Sequence, residues 1–107
     1  MITAGIDVGT RFLKICIVEE GKILSFASRE MKGKFNRLYR DTFREALESA
    51  SREKGSPLSR RSVKRIVSTG YGAHLVKGAT LSVNDPLCTS RGAWEHDKNI
   101  KTVIDAG

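Results

Sequence analysis

Apolar residues follow two different periods along this chain, and the period changes near residue 30. Before that point, segments 2–7, 13–18 and 22–28 are short and rich in apolar and β-branched side chains, a pattern typical of strands. Turn residues at 19–21 separate the second segment from the third. The first thirty residues are therefore expected to form three antiparallel strands.

A helical period begins at Phe35 and indicates one amphipathic helix. Apolar residues recur there on a single stripe made of Phe35, Leu38, Tyr39, Phe43, Ala46, Leu47 and Ala50. Gly55 and Pro57 follow this stripe, and both residue types end helices. A long helix covering the predicted strands is the expected result.

The remaining sequence alternates strand and helix patterns. Residues 63–69 read as a strand that lies parallel to the first one, Pro86 can open a helix over residues 86–95, and residues 100–104 read as a last core strand. The predicted order is βββαβαβ, an α/β protein with a mixed sheet of about five strands. The chain ends directly after that last strand, so we expect residues 1–107 to be a single partial domain, truncated from a longer protein.

Composition and charge narrow the function classes. The net charge is +7, but the basic residues of the predicted helix alternate with acidic ones, which favours a solvated surface and disfavours a nucleic-acid partner. No apolar run is long enough to span a membrane, and the first residues do not resemble a signal peptide, so we expect a cytoplasmic protein. Cys16 and Cys88 are too far apart to suggest a zinc site, so we expect Cys16 to be a small core residue and Cys88 to be a packed helix residue.

The end of the first predicted strand carries residues suited to binding phosphate. Asp7 closes the strand, where a carboxylate can hold Mg²⁺ through water. Gly9 lets the backbone approach phosphate oxygens, while Thr10 and Lys14 add a hydroxyl donor and a positive charge. Asp105 and Gly107 repeat the same pattern after the last strand, so a second carboxylate and a second turn are predicted for the same cleft. An Asp-x-Gly-Thr sequence also forms ordinary structural turns.

Four landmarks in order along the chain resemble a known family. The segment 2–10 with Lys14 resembles the first phosphate motif of the actin-like ATPase superfamily, which has a ribonuclease-H-like fold. The segment 68–72, then Cys88 ahead of segment 91–93, then segment 101–107 are similar to successive motifs of the activators of 2-hydroxyacyl-CoA dehydratases and benzoyl-CoA reductases. The resemblance implies the N-terminal lobe of such an activator.

The same resemblance implies a function and a set of cofactors. Activators bind ATP and Mg²⁺ and couple ATP hydrolysis to low-potential electron transfer from an iron–sulfur cluster shared by a homodimer. The partner is a dehydratase or reductase component. By this resemblance, Asp7 and Asp105 are catalytic, Gly9, Thr10, Lys14 and Gly107 bind the nucleotide, and segment 68–72 has a structural or inter-lobe role. The cluster ligands of the family are absent from this chain, which is expected to be inactive alone.

Two other functions of the same fold class stay open at this point. Ribonuclease-H-like nucleases and junction resolvases also begin with a strand that ends in an aspartate, which holds Mg²⁺ beside a nucleic-acid phosphate. A sugar or small-acid kinase lobe would share the phosphate-binding residues and add a substrate site. A nuclease needs several clustered carboxylates, and the predicted strand ends offer only Asp7 and Asp105.

Overall fold

A computed structural model describes residues 1–83, which form a five-stranded mixed sheet with one long helix. The sheet order is β3-β2-β1-β4-β5. The elements are β1 (Ile2–Val8), β2 (Phe12–Glu19), β3 (Lys22–Glu30), α1 (Phe35–Lys54), β4 (Val63–Thr69) and β5 (Leu81–Ser82), with short 3₁₀ turns at Arg60–Ser62 and Ala73–Leu75.

The first three strands form the antiparallel meander that the sequence predicts. A two-residue turn joins β2 to β3, and its residues Glu20 and Gly21 have positive φ angles of 48° and 78°. Positive φ at both central positions is the geometry of a type I′ turn, whose twist matches that of the flanking strands. Gly21 adopts such a φ without steric cost, which explains the tight turn at this point.

The fourth strand lies beside the first and runs parallel to it, as predicted. Asp7 is the register partner of Thr69, so the carboxyl ends of β1 and β4 meet at one edge of the sheet. We call this the carboxyl edge and define it by residues 7–10 and 69–72. Ligands of open α/β sheets bind beyond the carboxyl ends of the strands.

The core lies between α1 and one face of the sheet. Alternate residues of β1 and β2 face it, with Ile6, Leu13, Ile15 and Ile17 at most 1% exposed. The Ser25 hydroxyl of β3 donates a hydrogen bond of 2.7 Å to the carbonyl of Ala46 in α1. Burial of these side chains supplies the main driving force for packing α1 on the sheet.

The other face of the sheet is called here the open face and carries Thr3, Gly5, Asp7, Lys14 and Cys16. Side chains of alternate strand residues point to opposite faces, so this set follows from the strand register. No helix in residues 1–83 packs on it.

The helix ends where the sequence predicts. Gly55 has a left-handed φ of 80°, and its N–H donates to the carbonyl of Ser51 at 2.9 Å. Glycine reaches this conformation without a Cβ clash and is the usual residue after a helix end. None of the helices in residues 1–83 combines the length and apolar content needed to cross a membrane.

Residues 1–83 contain one strand that the sequence pattern does not predict. This strand is β5, Leu81–Ser82, which pairs in parallel with β4 after the 3₁₀ turn. Two residues are too few to show a period, and the pairing depends on backbone bonds such as Val83 N–H to the carbonyl of Ser68 at 2.9 Å. The predicted helix at 86–95 and strand at 100–104 lie outside the described residues.

Candidate functional site

Three polar residues form a row across the open face at the carboxyl edge. Asp7 of β1 lies between Lys14 of β2 and Thr69 of β4, each its direct register partner. Directly opposed residues on neighbouring strands have Cβ atoms about 5 Å apart. Asp7 and Thr69 are half-buried, whereas Lys14 is exposed. A small anion with its cation could therefore contact the Asp7 carboxylate, the Thr69 hydroxyl and the Lys14 ammonium group at the same time.

The loop after β4 packs directly on Asp7. Gly70 has a φ of +94°, and a Cβ at this position would lie 2.5 Å from the carbonyl oxygen of Val8 and 2.7 Å from Oδ1 of Asp7. The N–H of Gly72 donates to the same Val8 carbonyl at 3.0 Å. Only glycine tolerates both the backbone angle and the contact at position 70. Gly70 and Gly72 thus hold the two loops of the carboxyl edge together.

Ser68 secures this loop from within the core. Its hydroxyl is fully buried, donates to the carbonyl of Ala73 at 3.2 Å and lies 2.8 Å from the hydroxyl of Ser82. Tyr71, between the two glycines, is 87% exposed. The segment 68–72 therefore has a structural role within the lobe. The contact between this segment and Asp7 was not predicted, although the two glycines directly after the strand could have indicated a close approach of the backbone.

The turn between β1 and β2 differs in one detail from the expected phosphate loop. The N–H of Gly9 donates to the carbonyl of Phe12 at 3.0 Å and closes the hairpin. A Cβ on Gly9 would lie 3.1 Å from that carbonyl oxygen. Gly9 therefore contributes a tight turn, and its own N–H is occupied. The backbone amides of Thr10 and Arg11, at the exposed tip, are the remaining candidates for donating to a phosphate.

The donor set of the carboxyl edge suits a magnesium ion that arrives with its ligand. Mg²⁺ is commonly held by one or two carboxylates together with phosphate oxygens and water, and Asp7 can supply the carboxylate. Within residues 1–83 no three His, Cys, Asp or Glu residues cluster as a metal site would. Residues 1–83 therefore lack the cluster of carboxylates that a metal-dependent nuclease needs. Asp105 and Gly107 lie outside this range, as does Cys88.

An iron–sulfur cluster does not fit the described part of the chain. Such clusters are held by several cysteine thiolates, and residues 1–83 contain a single free cysteine, Cys16. Cys16 lies half-buried on the open face, with its Sγ 3.3 Å from the position of a Cβ on Gly5. Burial raises the pKa of the Cys16 thiol, and a backbone hydrogen bond with Gly5 opposes this change. The expectation that Cys16 is a core residue was wrong, because the strand alternation turns its side chain to the open face, away from the core under α1.

Comparisons with known proteins bear on the fold. No protein-family profile and no curated protein matches the chain. Solved structures match with high probability. One is component A of the (R)-2-hydroxyglutaryl-CoA dehydratase of Acidaminococcus fermentans, with 24% identity over 94% of this chain and a TM-score of 0.80. Another is the activator of the 2-hydroxyisocaproyl-CoA dehydratase of Clostridium difficile, solved with bound ADPNP, with 25% identity over 89% of this chain and a TM-score of 0.68.

A third solved structure that matches the chain is not named as a dehydratase component or activator. The ethanolamine utilization protein EutJ of Carboxydothermus hydrogenoformans has 20% identity over 87% of this chain and a TM-score of 0.54, and this chain covers 40% of it. The chain covers 37% of the A. fermentans protein and 33% of the C. difficile protein, about a third of their length. The chain has the actin-like ATPase fold and is similar in structure to component A of one 2-hydroxyacyl-CoA dehydratase and to the activator of another.

Proposed function

We propose that this chain is the ATP-binding lobe of an activator-type ATPase that serves a CoA-ester dehydratase or reductase. The observation that carries the proposal is the carboxyl edge, where Asp7 stands between Lys14 and Thr69 with the Gly70 loop packed on it. The C. difficile activator of similar structure was solved with an ATP analogue, which supports a nucleotide as the ligand.

Each residue of the edge has a proposed role. Asp7 would help to hold a Mg²⁺ ion that arrives with the nucleotide, and the bound ion would supply positive charge for the phosphate oxygens. Lys14 adds a positive charge, and the Thr10 hydroxyl and amide donate hydrogen bonds to phosphate. Gly9 shapes the turn. Asp105 and Gly107 supply the second carboxylate and turn of the cleft, so that Asp7 and Asp105 act as the catalytic pair.

The partner protein and the electron transfer are proposed for the complete protein of which this chain is one lobe. We propose a cytoplasmic homodimer whose ATP hydrolysis drives low-potential electron transfer from an iron–sulfur cluster to a dehydratase or reductase component. The names of the two proteins of similar structure, a dehydratase component A and a dehydratase activator, support the partner class. The cluster ligands would come from outside residues 1–83, because the described residues offer only Cys16.

A binding experiment tests the nucleotide assignment. Asp7→Asn keeps the side-chain shape but removes the charge that Mg²⁺ requires, so the affinity of the 107-residue chain for fluorescent ATP with Mg²⁺ is expected to fall about tenfold, roughly 1.4 kcal/mol. Glu53→Gln is the matched control, since Glu53 lies on the exposed surface of α1 and pairs with Lys22. Equal affinities of wild type and Asp7→Asn at equal melting temperature would contradict the proposal.

A further inference from the structure

A groove of about 560 Å³ lies between α1 and the segment that precedes β4. We call it the Tyr39 groove. Its floor is apolar and consists of Tyr39, Phe43, Leu47 and Leu58. The rings of Tyr39 and Phe43 meet edge to face, with centroids 5.6 Å apart. The floor belongs to the α1 side of the sheet, whereas the row around Asp7 lies on the open face. The groove is thus separate from the candidate phosphate site.

The Tyr39 hydroxyl is an unusual feature of this groove. The oxygen is buried, and within residues 1–83 no hydrogen-bond partner reaches it. Burial raises the pKa of Tyr39, with an opposing effect from the positive charge of Arg60. Buried hydroxyls are normally hydrogen-bonded, because an unmade hydrogen bond costs free energy. A ligand that brings a hydrogen-bond acceptor would satisfy this group.

Positive charge surrounds the apolar floor. Arg40, Arg44 and Arg60 line the groove, and Glu48 is the carboxylate among its lining residues. The Arg60 guanidinium stacks over the Phe43 ring, 5.7 Å from its centroid. Exposed cations around an apolar floor attract a ligand that carries both negative charge and an apolar side chain.

Internal ion pairs do not neutralise this charge. Asp41 is shared by three arginines, with N–O distances of 3.8 Å to Arg29, 3.9 Å to Arg40 and 3.7 Å to Arg44. Arg40 and Arg44 are also mostly exposed, at 65% and 61% of their side chains. Arg29 also pairs with Glu45 and does not line the groove, so Asp41 and Glu48 are the carboxylates that oppose Arg40, Arg44 and Arg60, and net positive charge remains there.

The basic surface continues past the N-terminal end of α1. Arg40 also lines a second groove together with Lys34, Arg37 and Lys77, and that groove has no carboxylate among its lining residues. The two grooves share Arg40, so the cations form one band along the helix. An extended acidic segment, longer than a single side chain, matches such a band.

We propose that the Tyr39 groove docks an acidic segment of a partner protein, which places an aromatic or aliphatic anchor on the floor and carboxylates on Arg40 and Arg44. In the complex, the buried Tyr39 hydroxyl turns toward the groove and donates to a carboxylate or carbonyl oxygen of the segment. Nucleic acid fits less well, because a phosphate backbone brings no apolar side chain to the floor of the groove.

Synthetic peptides test this assignment on the 107-residue chain. The probe is a fluorescein-labelled, glutamate-rich 12-residue peptide with Leu and Phe four positions apart, and the reference peptide has Ser in both places. Fluorescence anisotropy is expected to show about tenfold tighter binding of the Leu/Phe peptide, because the anchors bury apolar surface on the floor. Equal binding of the two peptides would overturn the docking site.

Charge variants locate the binding surface. Arg40→Glu with Arg44→Glu should weaken binding of the Leu/Phe peptide by about tenfold or more. Each change removes an attraction to the acidic peptide and adds a repulsion between like charges. Arg52→Glu with Lys64→Glu makes the same change in net charge outside the groove and should weaken binding by less than about threefold. Melting temperatures confirm folding, and Arg40→Gln with Arg44→Gln is the milder pair if the first variant unfolds.

A change at the groove floor and a competitor complete the test. Tyr39→Phe removes the buried hydroxyl and should weaken peptide binding by about threefold while raising or preserving the melting temperature. A 12-base-pair DNA duplex should compete poorly with the Leu/Phe peptide. Equal losses in the two charge variants, or tighter binding of the duplex than of the peptide, would overturn the proposal. ATP binding should be unaffected by Tyr39→Phe, which separates this result from the nucleotide assignment.

Discussion

Gly70 is the residue whose replacement most clearly tests the geometry of the carboxyl edge. A methyl group at this position would meet the Val8 carbonyl at 2.5 Å and Oδ1 of Asp7 at 2.7 Å, with φ at +94°. Overpacking and left-handed strain act together, so Gly70→Ala should lower the free energy of unfolding by roughly 3 kcal/mol. Urea denaturation of the 107-residue chain measures the loss.

Gly33→Ala is the matched control for this prediction. Gly33 also has a positive φ, +74°, but nothing lies within 4 Å of the position of its Cβ. Its replacement carries the backbone strain alone and should cost about 1 kcal/mol. Equal losses for the two variants would show that the Gly70 loop does not contact Asp7 and Val8 as described.

Cys16 gives a second prediction at the residue scale. Burial raises the pKa of its thiol, so at about pH 7.5 less thiolate is present than in an unfolded chain, and the thiolate is the reactive form. Alkylation of Cys16 in the folded protein should be several-fold slower than in guanidinium at the same pH, and the rate should keep rising above the pKa of an ordinary cysteine. Mass spectrometry separates Cys16 from Cys88. Equal rates in the folded and unfolded chain would contradict the placement.

The packing of α1 can be tested with two phenylalanines on opposite sides of the sheet. Phe43 of α1 is 5% exposed, whereas Phe26 of β3 is 62% exposed. Phe43→Ala leaves a cavity in the core and should cost about 3–5 kcal/mol, and Phe26→Ala should cost less than about 1 kcal/mol. Thermal unfolding measures both. A comparable loss for Phe26→Ala would mean that its ring is buried in the folded chain.

At the scale of strands and helices, the sequence predicted those elements whose own pattern is long enough to read. The helix period led to α1 and its end at Gly55, and β4 has the predicted bounds of 63–69. The two-residue β5 has no period of its own, and backbone bonds from β4 determine it. The apolar periodicity of the sequence therefore predicts the long strands and the helix, whereas hydrogen bonding to β4 determines the short strand β5.

The strand end alone indicates Asp7, Gly9, Thr10 and Lys14 as candidate site residues, but it does not indicate their contacts. The position of Thr69 beside Asp7 depends on the register of β1 and β4, which shifts between Ile2 and Thr3. Such an irregularity leaves no trace in single-sequence periodicity. The bond from Gly9 N–H to Phe12 likewise became visible only with the hairpin in place.

For the molecule as a whole, nucleotide binding and hydrolysis are expected to separate. Phosphoryl transfer needs oriented charges on both sides of the triphosphate, and we expect the 107-residue chain to hold one complete phosphate loop at residues 7–10 and only the start of a second at Asp105 and Gly107. Phosphate release by the 107-residue chain should therefore stay at the rate of uncatalysed ATP hydrolysis. Robust turnover that Asp7→Asn abolishes would show that the chain holds a complete catalytic site.

Backbone amide NMR of the 107-residue chain, titrated with ADPNP and Mg²⁺, locates the nucleotide residue by residue. If the carboxyl edge is the phosphate site, the largest shift changes fall on residues 7–11 and 69–72. They should disappear with EDTA and in the Asp7→Asn variant, because the ion requires the carboxylate. Changes confined to other parts of the sheet or to α1, or equal changes in Asp7→Asn, would contradict the assignment of this edge as a magnesium-dependent nucleotide site.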